Sequence, residues 1–204
     1  MTILINTISG FSASSRHSKD TIDGFVSKIL DNEEEPLRFT HCSPIGFNKQ
    51  IYTMDLKEEL SIFSNTKGIL LVGKSFGAIK LWDTLMTEWK TFDRFLENNK
   101  ISVVLIDPHG AVIGDKKFGS YGTLFRKKMD INNIWMNDYI REREFHIKCF
   151  YQRNKYPKGA RFKEKSLNYK LKDGTHWNIT DINSRPGQII RDYIYSEMDW
   201  LKGK

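Results

Sequence analysis

Short β-branched apolar runs alternate along this chain with segments whose apolar residues recur at helical spacing. Ile3 to Ile8 is one such run and ends at Ser9-Gly10, which predicts a buried strand. A polar stretch from Phe11 to Ser18 leads into a predicted helix over Lys19 to Leu30. There Ile22, Phe25, Val26, Ile29 and Leu30 share a face, with Ser18 or Asp20 as candidate caps. Leu37 to Cys42 is a weaker strand, and Asp55 to Phe63 a helix with Leu56, Leu60 and Phe63 on one face. Gly68 to Val72 predicts the third strand, followed by a helical stretch from Phe76 to about Glu97. Ile101 to Ile106 and Ile147 to Tyr151 are the fourth and fifth strands. An amphipathic helix over Gly187 to Leu201 follows, with Ile189, Ile190, Tyr193, Ile194 and Met198 apolar.

Strands alternating with helices imply an α/β fold, a doubly wound and mostly parallel sheet of five strands covered on both faces. Right-handed crossovers restrict such a sheet to a few orders. At 204 residues one domain over 1–204 is expected. The segment 108–143 interrupts the alternation: it carries Gly110, Gly114, Gly119 and Gly122 and then Ile134-Trp135-Met136, and reads as an insertion or lid.

Composition narrows the classes. Apolar residues make up 39% and aromatic residues 13%, as in globular proteins, which excludes wholesale disorder. No apolar run approaches the roughly 20 residues of a membrane span. The first ten residues lack the basic start and cleavage site of a signal peptide, so a cytoplasmic location is expected. Cys42 and Cys149 stand in apolar surroundings outside any paired-cysteine motif and read as reduced, buried thiols. The net charge of +7 is uneven: residues 1–110 hold 12 Lys/Arg against 14 Asp/Glu, and residues 111–204 hold 20 against 11. The excess peaks over 141–172, either a solvated face or a surface that attracts anionic substrates or nucleic acid. No spacing of histidine, cysteine and carboxylate resembles a metal site, and no phosphate-binding P-loop is present, so neither metal nor cofactor is expected.

The chemistry concentrates at Gly73-Lys74-Ser75-Phe76-Gly77, a G-x-S-x-G sequence. The motif needs a serine on a sharp strand-to-helix turn, where side chains two positions to either side would clash. The bare pattern is common, but its setting is specific. Ile69-Leu70-Leu71-Val72 stands directly before it, and Ala78, Ile79, Leu81, Trp82 and Leu85 open a helix directly after it. The alternative is a plain glycine turn, or one that binds phosphate at the helix N-terminus.

In this setting the chain resembles the α/β-hydrolase superfamily over nearly its whole length. The five predicted strands look like the central part of that sheet in the order 2-1-3-4-5, without its first antiparallel strands and one later strand. From Ile106-Asp107-Pro108 through Phe150-Tyr151-Gln152 and Gly159 to His176, the chain is similar to small serine hydrolases of bacterial or bacteriophage type. The resemblance implies the order nucleophile, acid, histidine, here Ser75, Asp107 and His176. A serine hydroxyl needs a base to take its proton, and a carboxylate orients that base. His176 lies past the last predicted strand and shortly before the terminal helix, where the family carries its histidine; His109, after the fourth strand, is the rival. His17, His41 and His146 read as structural or solvated. Asp107 ends the fourth strand, on the edge where ligands collect in open parallel sheets. Many family members carry the acid one strand later, but there, between Gln152 and Lys172, Glu164 is the only carboxylate. The resemblance further implies an oxyanion hole from the backbone N–H groups of Phe11 and Phe76. Phe11, Phe76, Phe118, Tyr121 and Trp135 suggest an apolar acyl pocket, or core. The expectation is a serine hydrolase acting on a carboxyl ester or thioester of a small, potentially anionic acyl substrate. The alternative is an idle hydrolase fold that binds nucleic acid or another anionic partner.

Overall fold

The computed structural model describes residues 2–10, 21–33, 36–42, 48–62, 65–88, 99–108, 145–152, 162, 165–176 and 178–203. Its frame is six mutually parallel strands: β1 (Thr2–Ile8), β2 (Leu37–Cys42), β3 (Thr66–Lys74), β4 (Lys100–Ile106), β5 (Phe145–Gln152) and β6 (Asn168–Leu171). They stand in the order β2-β1-β3-β4-β5-β6. Among the described residues four helices accompany them: α1 (Ile22–Leu30), α2 (Lys49–Ile62), α3 (Phe76–Thr87) and α4 (Arg185–Lys202).

Alternation along the central strands builds two cores. Leu4, Ile69, Leu71, Val103, Leu105 and Ile147 face one way, against Tyr52 and Leu56 of α2 and Ile79, Leu81 and Leu85 of α3. Ile3, Ile5, Leu70, Val72, Val104 and Phe150 face the other way, against Phe25, Val26 and Ile29 of α1 and Ile190, Ile194 and Met198 of α4. A strand buried on both faces is apolar at most positions, as β1, β3 and β4 are, with Asn6 and Thr7 of β1 and Ser102 of β4 as buried polar exceptions.

The expected sheet of five strands is corrected to six. β6 escaped the hydrophobic pattern because Asn-Tyr-Lys-Leu at an exposed edge has only Leu171 fully buried. Its strand character comes from pairing with β5, in the register Cys149↔Asn168 to Gln152↔Leu171. An edge strand with lysine outward also resists pairing with another chain. Helix ends moved as well. Thr21, not Ser18 or Asp20, caps α1 by accepting from the Gly24 N–H. α2 begins at Lys49, six residues before the expected start, because Asn48 Oδ1 accepts from the N–H groups of Gln50 and Ile51 at 2.9 and 3.2 Å. α3 ends at Thr87, and 89–98 and the insertion from 109 to 143 lie outside the described residues. Among the described residues no helix is long and apolar enough to cross a membrane.

Candidate active site

The C-terminal edge of the sheet is where the backbone departs from ordinary geometry. β3 ends at Lys74, and Ser75 takes φ 56° and ψ −120° before α3 starts at Phe76. A non-glycine residue there stores strain that the surrounding structure must enforce, and such residues cluster at functional turns. The enforcement is steric. A Cβ at Gly77 would lie 2.2 Å from the Ile8 carbonyl oxygen and 2.3 Å from that of Ser9, and a Cβ at Gly73 would lie 2.6 Å from Ala78 Cα. α3 can therefore dock onto the end of β1 only with glycine at both places, as the motif requires.

Asp107 is the second strained residue, with φ 43°, directly after β4. Lys74 and Ile106 are register partners, so the two positive-φ residues follow paired positions on neighbouring strands. The Ser75 N–H donates to the Ile106 carbonyl at 2.9 Å, and the Asp107 N–H donates to the Phe150 carbonyl at 2.7 Å. The turns after β3 and β4 are thus each tied to the next strand. Asp107 is fully buried, and its Oδ2 accepts from two side chains, His176 Nδ1 and Gln152 Nε2, each at 2.6 Å. An ionised carboxylate only accepts, so with Asp107 in that state the contact calls for the proton on His176 Nδ1, which leaves the lone pair of a neutral imidazole on Nε2. That is the tautomer a general base needs. His176 comes from the loop between β6 and α4, pinned by a short turn in which Asn178 Oδ1 accepts from the Thr175 N–H at 2.7 Å.

Of the residues expected at the site, the structure brings Asp107 and His176 into direct contact, 69 positions apart, with Ser75 on the same edge. No hydrogen bond between Ser75 and His176 is among those made by the described residues. Side chains without substrate often stand farther apart than during reaction. Phe76 opens α3, so its backbone N–H belongs to the first turn of the helix, at the end nearest Ser75. Phe11, His109, Phe118, Tyr121, Trp135 and Glu164 lie outside the described residues.

Three residues had been given no such contact in the sequence reading. Gln152 donates to Asp107 Oδ2, and the sequence named it only within the Phe150-Tyr151-Gln152 resemblance. A Cβ at Gly10 would stand 2.8 Å from Ser75 Cβ and 3.2 Å from Ser75 Oγ, so the backbone after β1 closes against the serine side chain. Lys74 is buried and donates through Nζ to Thr180 Oγ1 at 2.6 Å, linking the serine turn to the histidine loop.

The other reactive groups are silenced. Burial, with the charge of Asp107 adding to it, pushes the Cys149 thiol far above its usual range, so it stays protonated and unreactive. Burial likewise raises Cys42, against a weaker pull from Asn6. Both cysteines are free thiols. His41 is bound by hydrogen bonds to Thr7 Oγ1 at 2.8 Å and Ser9 Oγ at 2.9 Å, and His146 to Glu197 at 2.9 Å, which gives both structural roles. Among the described residues no group of three or more histidine, cysteine, aspartate or glutamate side chains could hold a metal ion.

Fold and site together define an α/β protein with a parallel sheet flanked by helices, carrying a strained serine turn beside a buried aspartate–histidine pair. Comparison adds one likeness, to a Sulfolobus solfataricus protein whose crystal structure is described as that of a "putative lipase". The two share 12% identity over 96% of this chain and 86% of the other, with a TM-score of 0.45. A likeness of that size carries no argument about chemistry. No protein-family model and no curated protein matches the chain.

Proposed function

We propose that the chain is a serine hydrolase that cleaves a carboxyl ester or thioester through an acyl-enzyme on Ser75. The observation that carries this reading is the 2.6 Å contact of His176 Nδ1 with buried Asp107 Oδ2, on the sheet edge that also holds Ser75 at φ 56°. His176 Nε2 takes the Ser75 hydroxyl proton as Oγ attacks the acyl carbon. The carbonyl oxygen becomes an oxyanion that the Phe76 N–H, at the start of α3, is suited to stabilise, with Phe11 as the expected second donor. Collapse of this intermediate breaks the bond to the alcohol or thiol, which leaves with the proton from His176. Water, deprotonated by the same imidazole, then attacks the acyl-enzyme, and the acid and free Ser75 result. Asp107 stays ionised, fixing the tautomer and countering the imidazolium charge.

The test is labelling by a fluorophosphonate probe together with hydrolysis of short activated esters, which demand little of the pocket. Wild-type protein should label and turn over, and Ser75→Ala should do neither. Ser75→Ala, His176→Ala and the double variant should lose similar activity, because the groups act as one unit. Protein that resists the probe yet binds DNA in a salt-dependent way would favour the idle, anion-binding alternative instead.

A further inference from the structure

We infer that Gln152 is a positioning residue of this site: its side-chain N–H holds the Asp107 carboxylate in the one orientation that serves His176. The inference rests on the hydrolase reading for its consequence in turnover, though not for its geometry. Asp107 is fully buried and Gln152 is 5% exposed, so neither is held by bulk water. The Asp107 backbone leaves β4 in the left-handed region, which by itself leaves the carboxylate able to rotate about its last torsion. β5 holds the Asp107 backbone at one point and its carboxylate at another. The Phe150 carbonyl accepts the Asp107 N–H at 2.7 Å, and two residues later Gln152 Nε2 donates to Oδ2 at 2.6 Å. Because the same Oδ2 accepts His176 Nδ1 at 2.6 Å, the amide sets the direction in which that oxygen meets the imidazole. The amide must present nitrogen to the carboxylate, since its own oxygen would repel an ionised acceptor.

Gln152→Met keeps the length of the side chain and removes the donor. It should lower kcat by about 10–100-fold on a short activated ester while KM stays within about twofold, the pattern of a group lost from orientation and not from binding. The same substitution in an Asp107→Asn background should cost less than about twofold, because the oxygen it orients is no longer a charged partner of His176. Gln152→Asn keeps the amide but withdraws it by one methylene, and should behave like Gln152→Met. Proton NMR provides a readout independent of turnover. The low-field His176 Nδ1–H resonance, identified by its loss in His176→Ala, should be sharp in wild type and broadened by exchange in both Gln152 variants. Equal losses in the two backgrounds, or full activity with an unchanged resonance in Gln152→Met, would overturn the inference. If wild-type protein neither labels nor hydrolyses esters, the hydrolase reading fails alone, and the resonance still judges what Gln152 does.

Discussion

Ser75 and Asp107 are the two non-glycine residues with positive φ among those described, and they follow register partners on β3 and β4. Strain at such a residue costs about 1–3 kcal/mol, which the packing of α3 against the end of β1 must supply. Glycine would relieve it, whereas alanine keeps the Cβ that causes it. Ser75→Gly should therefore be more stable than Ser75→Ala by about 1 kcal/mol, once the larger unfolded-state entropy of glycine is subtracted. Urea midpoints of the two variants measure this, and equal midpoints would show that the turn is not strained. Both variants lose the hydroxyl, so the comparison reports on the turn free of any catalytic effect. The same backbone explains why G-x-S-x-G was legible at all: each glycine answers a contact under 3 Å, and only that residue type satisfies it.

Elements far from the site carry their own electrostatics. α4 lies across one face of the sheet and is fastened near its C-terminal end by Glu197, which accepts from His146 of β5 at 2.9 Å. The His146 ring stacks on Trp200 one turn further on, with centroids 3.7 Å apart, and the Lys100 ammonium lies 5.1 Å from the Trp200 ring centre. Burial alone would raise the Glu197 carboxyl. The hydrogen bond and positive charge of His146, helped by the neighbouring Ser102 and Tyr193 hydroxyls, outweigh it and hold the group below its ordinary value of 4.5. A carboxyl depressed in the folded state contributes stability that is complete above its ordinary range and is lost as pH falls through the depressed value. Stability from this group should consequently hold from neutral pH down to the ordinary carboxyl value of 4.5 and decline as pH falls below it, and Glu197→Gln should flatten part of that decline while lowering stability at neutral pH. Denaturant midpoints across this range check it; parallel curves for wild type and variant would remove Glu197 from the account. Tyr193 moves the opposite way, pushed up by burial and by the nearby Glu197 charge, and stays a neutral donor.

For the whole molecule, the uneven charge is the property most open to test. Residues 111–204 carry nearly twice as many basic as acidic side chains, and the balance of 1–110 is slightly acidic. If the proposed hydrolase draws anionic substrates through its basic segment 141–172, Lys163→Ala within that segment should leave turnover of small neutral esters nearly unchanged and weaken that of anionic ones. The difference should fade as salt rises, since charge interactions through water are screened over about 8 Å at physiological ionic strength. Kinetics on a matched pair of neutral and anionic esters at two salt concentrations provide the measurement. An equal loss on both esters would assign Lys163 to structure.

What the sequence determined on its own is what repeats locally. Strands buried on both faces are mostly apolar, so β1, β3 and β4 were readable from single runs, β5 from the shorter run around Ile147 and Cys149, and Phe25, Val26 and Ile29 of α1 from their helical spacing. The serine turn was readable because its glycines are dictated within five residues, Asp107 because it ends a strand at the edge where parallel sheets collect ligands, and His176 through the resemblance, which places a histidine shortly before the terminal helix. The tertiary structure decided whatever depends on which strands become neighbours. β6 is a strand because β5 offers it a ladder, not because Asn-Tyr-Lys-Leu prefers one. Gln152 meets Asp107 from 45 residues away because β5 pairs with β4, and Gly10 meets Ser75 because β1 pairs with β3. Periodicity along a chain records which side of an element is buried. It does not record what lies across the interface, because that follows from the order of strands, and many sequences of the same periodicity are compatible with different orders.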